Sequence, residues 1–180
     1  GRAADPAVAL HWFHLAAVQG HAPAQYHLGV SFALGRAIPR DYAQALHWFT
    51  RAAGQGNVHA RYALGMSHLK GLGTEPDPQE AARWFTLAAE QGDAEAQVQL
   101  GLMHALGTGM PCDSARAIQL YALAADQNNP EGHYRLGIAF RDAQGRPRDL
   151  AQARHHLSEA AERGNLLAGP ALALLDSEGP

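Results

Sequence analysis

The sequence has very few of the features that mark disulfide-stapled or membrane proteins. Its 180 residues include one cysteine, Cys112. One cysteine cannot form a disulfide within the chain, which excludes a small disulfide-stapled fold but leaves the cellular compartment, cytoplasmic or exported, open. Apolar stretches are short and interrupted, and none approaches the roughly 20 apolar residues of a membrane-spanning helix. We therefore expect no membrane insertion.

Basic and aromatic residues are also scarce. Lysine and arginine number 14 against 17 aspartates and glutamates, the formal net charge is -3, and aromatic residues make up 7% of the chain. Nucleic-acid-binding domains carry a basic surplus, so no nucleic-acid partner is expected. The hydrophobic fraction is 47% and is dominated by alanine, whose small side chain lets helices approach closely.

What the sequence does have is a repeat of 36 residues. Full units run over 21–56, 57–92, 93–128 and 129–164, and all share one register. A partial unit covers 1–20, and 165–180 forms a partial unit or a capping helix. A fixed period of this length is typical of repeat proteins, in which each unit packs on its neighbours. We therefore predict a single repeat domain over 1–180.

Each unit has the pattern of two helices. The first helix of the first full unit is predicted over 22–34 and ends at a glycine-bearing loop, where glycine accepts a left-handed conformation. The second helix begins after an aspartate that caps its N-terminus. These aspartates are Asp41, Asp77, Asp113 and Asp149. The second helix ends at glycine, or at Asn128 in its place. The pattern predicts an all-α fold of paired helices.

Small residues recur at fixed columns inside these helices. Glycine inside a helix costs about 1 kcal/mol relative to alanine, so its recurrence after leucine indicates close approach of the paired helix. The Leu-Gly pairs are Leu28-Gly29, Leu64-Gly65, Leu100-Gly101 and Leu136-Gly137. Paired alanines, such as Ala52-Ala53 and Ala88-Ala89, are expected to let each second helix pack closely against its neighbours.

These columns resemble the Sel1-like repeat family, a relative of the tetratricopeptide repeat. The matching residues in the second full unit are Ala60, Leu64-Gly65, Gly71, Gly73, Asp77, Ala81, Trp84, Ala88-Ala89 and Gly92. The resemblance implies a right-handed α-α superhelix, or solenoid, of antiparallel helix pairs. It also implies a non-catalytic bacterial adaptor that binds another protein in regulation, envelope assembly or effector immunity.

The resemblance also raises an alternative function. Some bacterial relatives are linked to β-lactam binding, but these are cysteine-rich, with paired cysteines in each unit. This chain has only Cys112, which disfavours that branch. A third role, as a spacer in an envelope assembly, stays open, as does end-to-end self-association through the terminal repeats.

The groove columns of tetratricopeptide repeats can be carried onto this chain to predict a partner-binding surface. They predict that a protein or peptide partner binds to the concave face, which is apolar, contains tyrosines and carries few charges. The residues are Tyr26, Tyr62, Val98 and Tyr134; Val30, Met66, Leu102 and Ile138; and, at the rim, Leu34, Lys70 and Leu106. Aromatic residues and methionine are enriched in interface cores.

Catalytic and metal sites are not expected, although the chain has 11 histidines. His11, His47 and His155 share a column predicted to be solvent-exposed. His68 and His104 replace phenylalanine in another column and are expected to be half-buried. Two histidines one repeat apart lack a third ligand for zinc. The sequence also contains no phosphate-binding loop and no nucleophile elbow, so no cofactor is expected.

The fourth full unit departs from the pattern. Ala143 replaces the first loop glycine, and Arg154 and His156 replace an apolar residue and tryptophan in the second helix. That helix, predicted over 150–163, is more polar than its counterparts. A terminal repeat must present a polar outer face to water.

Overall fold

The computed structural model describes residues 6–177, with side chains from residue 8 onward. Residues 1–5 and 178–180, at the outer ends of the two predicted partial units, lie outside the described part. Within it there are ten α-helices and no strand. The predicted all-α class and the pairing of helices are confirmed. The chain forms two compact units, residues 1–91 and residues 92–180, which we describe separately.

The first compact unit (unit 1) holds five helices, and each contacts the next along the chain. They are α1 (Pro6–Val18), α2 (Ala22–Leu34), α3 (Tyr42–Gly54), α4 (Val58–Lys70) and α5 (Pro78–Ala89). Their core is built mainly from alanine, with Leu28, Trp48, Phe49 and Leu64 supplying the bulk.

The second compact unit (unit 2) holds the other five helices of the described residues. They are α6 (Ala94–Leu106), α7 (Ser114–Asp126), α8 (Pro130–Arg141), α9 (Leu150–Glu162) and α10 (Ala168–Ser177). Its core includes Tyr121, Phe140 and Leu175. Leu175 and Ala171 of α10 are buried, whereas Leu174 faces solvent. The apolar side of α10 therefore covers the end of this core.

The Leu-Gly columns bring paired helices together, as the sequence predicts. A Cβ added to Gly65 would lie 2.5 Å from Cε1 of Phe85, and one added to Gly101 would lie 2.6 Å from Cε1 of Tyr121. Gly29 has the same relation to the ring of Phe49. Each glycine thus leaves the space that a ring of the second helix fills, which offsets its poor helix propensity.

Helix ends follow the predicted capping chemistry. Asp41 Oδ1 accepts the N–H of Gln44 at 3.0 Å, and the aspartates at 77, 113 and 149 cap their helices in the same way. Asn128 has a φ of 61°, the left-handed conformation expected of a glycine substitute. Ala37 and Ala143 also have positive φ, of 62° and 55°. Alanine is strained there, since its Cβ crowds the backbone.

Buried polar side chains tie successive helices together, which the sequence pattern did not predict. Gln25 donates from Nε2 to the carbonyl of Ala17 at 3.0 Å, and its Oε1 accepts from Gln55 Nε2 at 2.7 Å. In unit 2, Gln127 donates to Gln97 at 2.9 Å. The glutamines recur two repeats apart in the sequence, and that recurrence is the signal that could have revealed them.

Candidate partner-binding groove

Unit 1 contains an apolar hollow, the unit 1 groove, between the first helices α2 and α4 and the second helix α3. Its volume is about 240 Å³. Its lining comprises Tyr26, Val30 and Ala33 of α2; Tyr42, Ala45 and Phe49 of α3; His59, Tyr62, Ala63, Met66 and Ser67 of α4; and Leu72 of the following loop. Tyr26, Val30, Tyr62 and Met66, which were predicted as partner-binding residues, are thus brought together.

Helical spacing explains why these side chains converge. Tyr26 and Val30 are four residues apart on α2, and Tyr62 and Met66 are four apart on α4, so each pair shares one helix face. Phe49 forms the floor, with its ring centroid 6.0 Å from that of Tyr26. On the other side, the Tyr62 ring is 5.7 Å from the ring of Phe85. The tyrosines are therefore held by buried rings and remain half-exposed.

The lining of the unit 1 groove is mainly apolar and has few polar groups. It consists of aromatic, aliphatic and alanine surface with one hydroxyl from Ser67, one imidazole from exposed His59 and the phenol groups of the tyrosines, and it contains no carboxylate. Such an apolar surface with few polar groups is typical of ligand and interface sites.

A second hollow in unit 1, the α1–α2 hollow, lies one repeat earlier. It has a volume of about 200 Å³, and its lining includes Phe13, His27 and Arg36. Val30 lines both hollows. The Phe13 ring stacks on His27 with centroids 5.0 Å apart. Val30 therefore separates two hollows of different polarity: the unit 1 groove is apolar, and the α1–α2 hollow contains the guanidinium of Arg36.

Unit 2 has a hollow in the equivalent position, two repeats further along the chain. Its volume is about 260 Å³, and Tyr121, Ser114 and Gln144 stand where the unit 1 groove has Phe49, Tyr42 and Leu72. Because tyrosine replaces phenylalanine and glutamine replaces leucine, the hollow of unit 2 is the more polar of the two. Burial raises the pKa of Tyr121 to about 12, which keeps its phenol neutral.

The remaining predicted residues have varied positions. Leu106 lines the unit 2 hollow and is 75% exposed. Leu34 and Lys70 are exposed at the ends of α2 and α4, and Leu102, Tyr134 and Ile138 are half-buried outside the unit 2 lining. Val98 has to be corrected, because it is fully buried at 0% exposure and offers no surface to a partner. Valine is shorter than the tyrosine of this column and does not reach out of the helix packing.

Two histidines form a contact in unit 2 that the sequence did not predict. Nδ1 of His133 lies 3.1 Å from Nδ1 of His156, so one ring must donate a proton and the other must accept it. His156 also stacks on Phe140, with centroids 5.6 Å apart. The unusual His156 in a tryptophan column was the available signal in the sequence.

This histidine pair is held in its neutral form. Burial and, to a smaller extent, the charges of His133, His155 and Arg146 lower the pKa of His156 to about 4, whereas Glu159 acts in the opposite direction. Burial and the Arg163 guanidinium likewise lower the pKa of His133. The pair therefore disfavours protonation.

Other residues considered as candidate sites occupy simpler positions. His11, His47 and His155 are exposed and His68 and His104 are half-buried, as predicted. Cys112 is exposed in its loop. Among the described residues, no three His, Cys, Asp or Glu side chains are grouped as metal ligands would be. Within the same part of the chain, no helix has the length and apolarity to cross a membrane.

The repeat sequence and the helix pairs agree with one known family. The Sel1 repeat family matches the chain over 1–21, 22–57, 58–93, 94–129 and 130–165. The chain belongs to the Sel1 repeat family. A search among curated proteins returned no match.

Two solved Sel1 repeat structures are similar over almost the whole chain. One is c5321, a protective antigen of uropathogenic Escherichia coli with an SLR fold, at 36% identity and a TM-score of 0.91. The match covers 94% of this chain and 36% of c5321. The other is a Sel1 repeat protein from Oxalobacter formigenes, at 34% identity and a TM-score of 0.88, covering 92% of this chain and 66% of that one. The chain thus spans about a third and about two thirds of these relatives.

A third solved structure shares the fold alone. Cysteine-rich protein B of Helicobacter pylori is 16% identical, with a TM-score of 0.52 over 66% of this chain and 84% of that one. It therefore supports the solenoid fold and gives no information on function.

Proposed function

We propose that this Sel1 repeat protein is a non-catalytic adaptor that captures a partner protein in the unit 1 groove. Sel1 repeat proteins are in general protein-interaction scaffolds. The observation that carries the proposal is the convergence of Tyr26, Val30, Tyr62 and Met66 on one half-exposed apolar surface. The bacterial sources of the similar structures support a bacterial setting, such as regulation, envelope assembly or effector immunity.

The groove has the properties of an interface centre. Its aromatic side chains are fixed by buried rings, so these side chains would lose little freedom when a partner binds. Methionine adapts its shape to different apolar side chains, and Met66 lies beside Tyr62 on α4. A partner residue inserted here would be removed from water on several sides, as at binding hot spots.

Affinity capture from a bacterial lysate, followed by crosslinking and mass spectrometry, tests the proposal. The bait variant Tyr62→Ala/Met66→Glu removes one groove wall and places a carboxylate in the apolar lining. Leu87→Glu is the matched control, because it puts the same charge on an exposed leucine of a second helix. Circular dichroism should show unchanged helicity for both variants.

We expect the groove variant to lose its partner and the Leu87→Glu control to retain it. Loss of a well-packed interface anchor costs about 2 kcal/mol or more, which is enough to abolish recovery in a washed pull-down. Retention by the groove variant together with loss by the control would move the interface to the second helices and overturn the proposal. Nothing in the structure favours the cysteine-rich alternative, since one exposed thiol cannot form the disulfide pairs of that branch.

A further inference from the structure

The exposed face of α1 is apolar. Val8, Trp12, Leu15 and Val18 are exposed, and their spacing puts them on one side of the helix. The full units have polar residues in the repeat column of Val8, and acidic residues or glycine in the column of Val18. Trp12 is 64% exposed, whereas Trp48, in the same column one repeat later, is 7% exposed. In the described part of the chain, α1 therefore has an apolar stripe that faces solvent.

The packing of Trp48 shows what kind of surface covers a tryptophan in this column. Its side chain belongs to a cluster with Ala17 of α1 and with Ala24 and Leu28 of α2. Ala17 lies near the end of the preceding second helix, and Ala24 and Leu28 lie on the first helix that pairs with α3. A surface that covers Trp12 in the same way therefore needs a second helix and the first helix that follows it.

Helices α9 and α10 carry the same three residue types in the same three columns. These residues are Ala161 of α9 and Ala168 and Leu172 of α10. Leu172 is half-buried, although the leucines of its column in the four full units are buried. Ala173 and Leu174, which follow it, are exposed. The surface formed by α9 and α10 is therefore open at the place where a second helix would pack.

The α1–α2 hollow lacks one wall of the unit 1 groove. Its lining comes from α1, α2 and the loop after α2, whereas the unit 1 groove also has a preceding first helix. That helix packs Val30 against the cluster that contains Phe49. In the same two columns, Leu174 of α10 is 59% exposed and Phe13 of α1 is half-buried. Leu174 of a second copy would therefore complete the hollow as Val30 completes the unit 1 groove.

Charges do not oppose a contact between these two surfaces. α1 contains no lysine, arginine, aspartate or glutamate. Asp176 is the one residue of these four types in α10, and it forms an ion pair with Arg154 of α9. Glu162, at the end of α9, stands in the column of Val18, which stays exposed beside α3. The contact would therefore bury apolar side chains and leave the charged ones paired or hydrated.

We infer that this chain assembles head to tail, with α1 of one copy packed on α9 and α10 of a second copy. Trp12 lies against Ala161 and Leu172 of the second copy, and Phe13 lies against its Leu174. The contact reproduces the packing of α3 on α1 and α2. It joins two different surfaces, so further copies can add at both ends. The inference does not depend on the proposed function, because neither α1 nor α10 lines the unit 1 groove.

Sedimentation velocity over a wide range of concentrations tests this assembly with the whole chain. Trp12→Glu places a carboxylate on the α1 surface, and Leu174→Glu places one on the α10 surface. Both side chains are largely exposed, so neither variant should lose helicity or shift its urea midpoint. Leu123→Glu is the matched control, because it puts the same charge on an exposed leucine of α7.

We expect the wild type to form dimers and longer chains as its concentration rises. Trp12→Glu and Leu174→Glu should each raise the dissociation constant by about tenfold or more, and Leu123→Glu should behave as the wild type does. The two defective variants should nevertheless pair with each other, because Trp12→Glu keeps its α10 surface and Leu174→Glu keeps its α1 surface. With one of them labelled at the exposed thiol of Cys112, their mixture should show a dimer and nothing longer.

A wild type that stays monomeric at every concentration contradicts head-to-tail assembly. So does assembly that only one of the two variants weakens, because it indicates a symmetric contact between two copies of the same surface. The absence of a dimer in the mixture of Trp12→Glu and Leu174→Glu also overturns the inference. If Met66→Glu disperses the assembly and Trp12→Glu does not, the second copy occupies the unit 1 groove instead, and the inference is wrong.

Discussion

The two compact units build equivalent hollows from the same scaffold and line them differently. In both, a helix glycine leaves room for a ring of the paired helix, as with Gly65 and Phe85 in unit 1 and Gly101 and Tyr121 in unit 2. The unit 1 groove then presents Tyr42, Phe49 and Leu72, where unit 2 presents Ser114, Tyr121 and Gln144. The glycine–ring contacts, which the two units share, hold the fold. The lining residues differ between the two hollows, and under the proposed function they would determine which partner binds.

The repeats also differ in the side chains that link a first helix to its second helix. The first full unit uses Gln25 and Gln55, and the third full unit repeats this with Gln97 and Gln127. In the fourth full unit, which also belongs to unit 2, His133 stands in the column of Gln25 and contacts His156, while Arg163 stands in the column of Gln55. An amide pair is indifferent to pH, whereas an imidazole pair is not. The comparison can therefore be tested by changes that act on one unit and spare the other.

The largest loss of stability is expected when the space beside Gly65 in unit 1 is filled by a side chain. Gly65→Ala would place a Cβ within 2.9 Å of three atoms of the buried Phe85 ring, and a ring cannot bend away. We expect a loss of about 3 kcal/mol in the free energy of unfolding, at the upper end of overpacking costs, measured by urea denaturation.

Two matched glycines set the scale for that loss. Gly137→Ala in unit 2 meets Cγ of the buried Leu157 at 2.8 Å and the carbonyl oxygen of Ala153 at 3.2 Å. A branched aliphatic side chain can change its torsion angles more readily than a packed ring can move, so the cost should be smaller. Gly54→Ala meets nothing within 4 Å and should be neutral or stabilising. Equal losses at Gly65 and Gly137 would refute the steric account.

Acid should destabilise unit 2 through its histidine pair. His156 has a folded pKa of about 4, below its usual 6.5, so the unfolded chain binds more protons between these values. The stability contributed by the neutral pair is present above pH 6.5 and is lost as the pH falls toward 4. We expect a loss of about 2 kcal/mol, which is less than the full pKa shift would give because solvent screens the half-buried imidazole, and urea denaturation across this range measures it.

A repeat-to-repeat transplant is the control for the acid effect. His133→Gln/His156→Leu/Arg163→Gln installs the residues found at Gln97, Leu120 and Gln127 of the third full unit. The transplanted chain should lose less stability than the wild type between pH 6.5 and pH 4. The same acid dependence in both proteins would show that other groups are responsible.

Truncation of Gln55 should have an intermediate effect on unit 1. Gln55→Ala removes the donor to Gln25 Oε1, which is buried, and an unsatisfied buried acceptor costs about 1 kcal/mol. Thermal unfolding should show a lowered midpoint. The double variant with Gln25→Leu should recover part of this loss, and no recovery would argue against the buried amide bond as the cause.

The smallest predicted effect is a gain at the two strained alanines. Ala37→Gly in unit 1 and Ala143→Gly in unit 2 replace residues at φ of 62° and 55°. Glycine adopts this conformation without a Cβ clash, so each change should stabilise the chain by about 0.5 kcal/mol. The urea midpoint of unfolding should rise for both variants. A lower midpoint for either variant would contradict the inference that these alanines are strained.

The sequence predicted those parts of the molecule that depend on local chemistry and on repetition. Helix starts at the capping aspartates, the left-handed Asn128 and the glycine approach sites followed from the repeat columns and are confirmed. The groove residues on the first helices came from the groove columns of tetratricopeptide repeats, and their role in partner binding stays a prediction. The division into a single repeat domain over 1–180 stays a prediction.

The rest depended on neighbours distant in the sequence. Val98 occupies a tyrosine column, but its depth is set by surrounding side chains, which place it in the interior. Tyr42 and Leu72 join the lining from a second helix and a loop, which the columns of first helices do not include. The His133–His156 contact joins residues from two helices whose relative rotation no single column reveals.

Site-specific photo-crosslinking tests the central claim most directly, because it reports where the partner lies. A photoreactive phenylalanine analogue at Met66 in the unit 1 groove is compared with the same analogue at Leu87 on α5 and at Ile138 in unit 2. The account predicts a partner adduct from position 66, with little or none from position 87 or 138. Adducts formed mainly from position 87, with none from position 66, would contradict it.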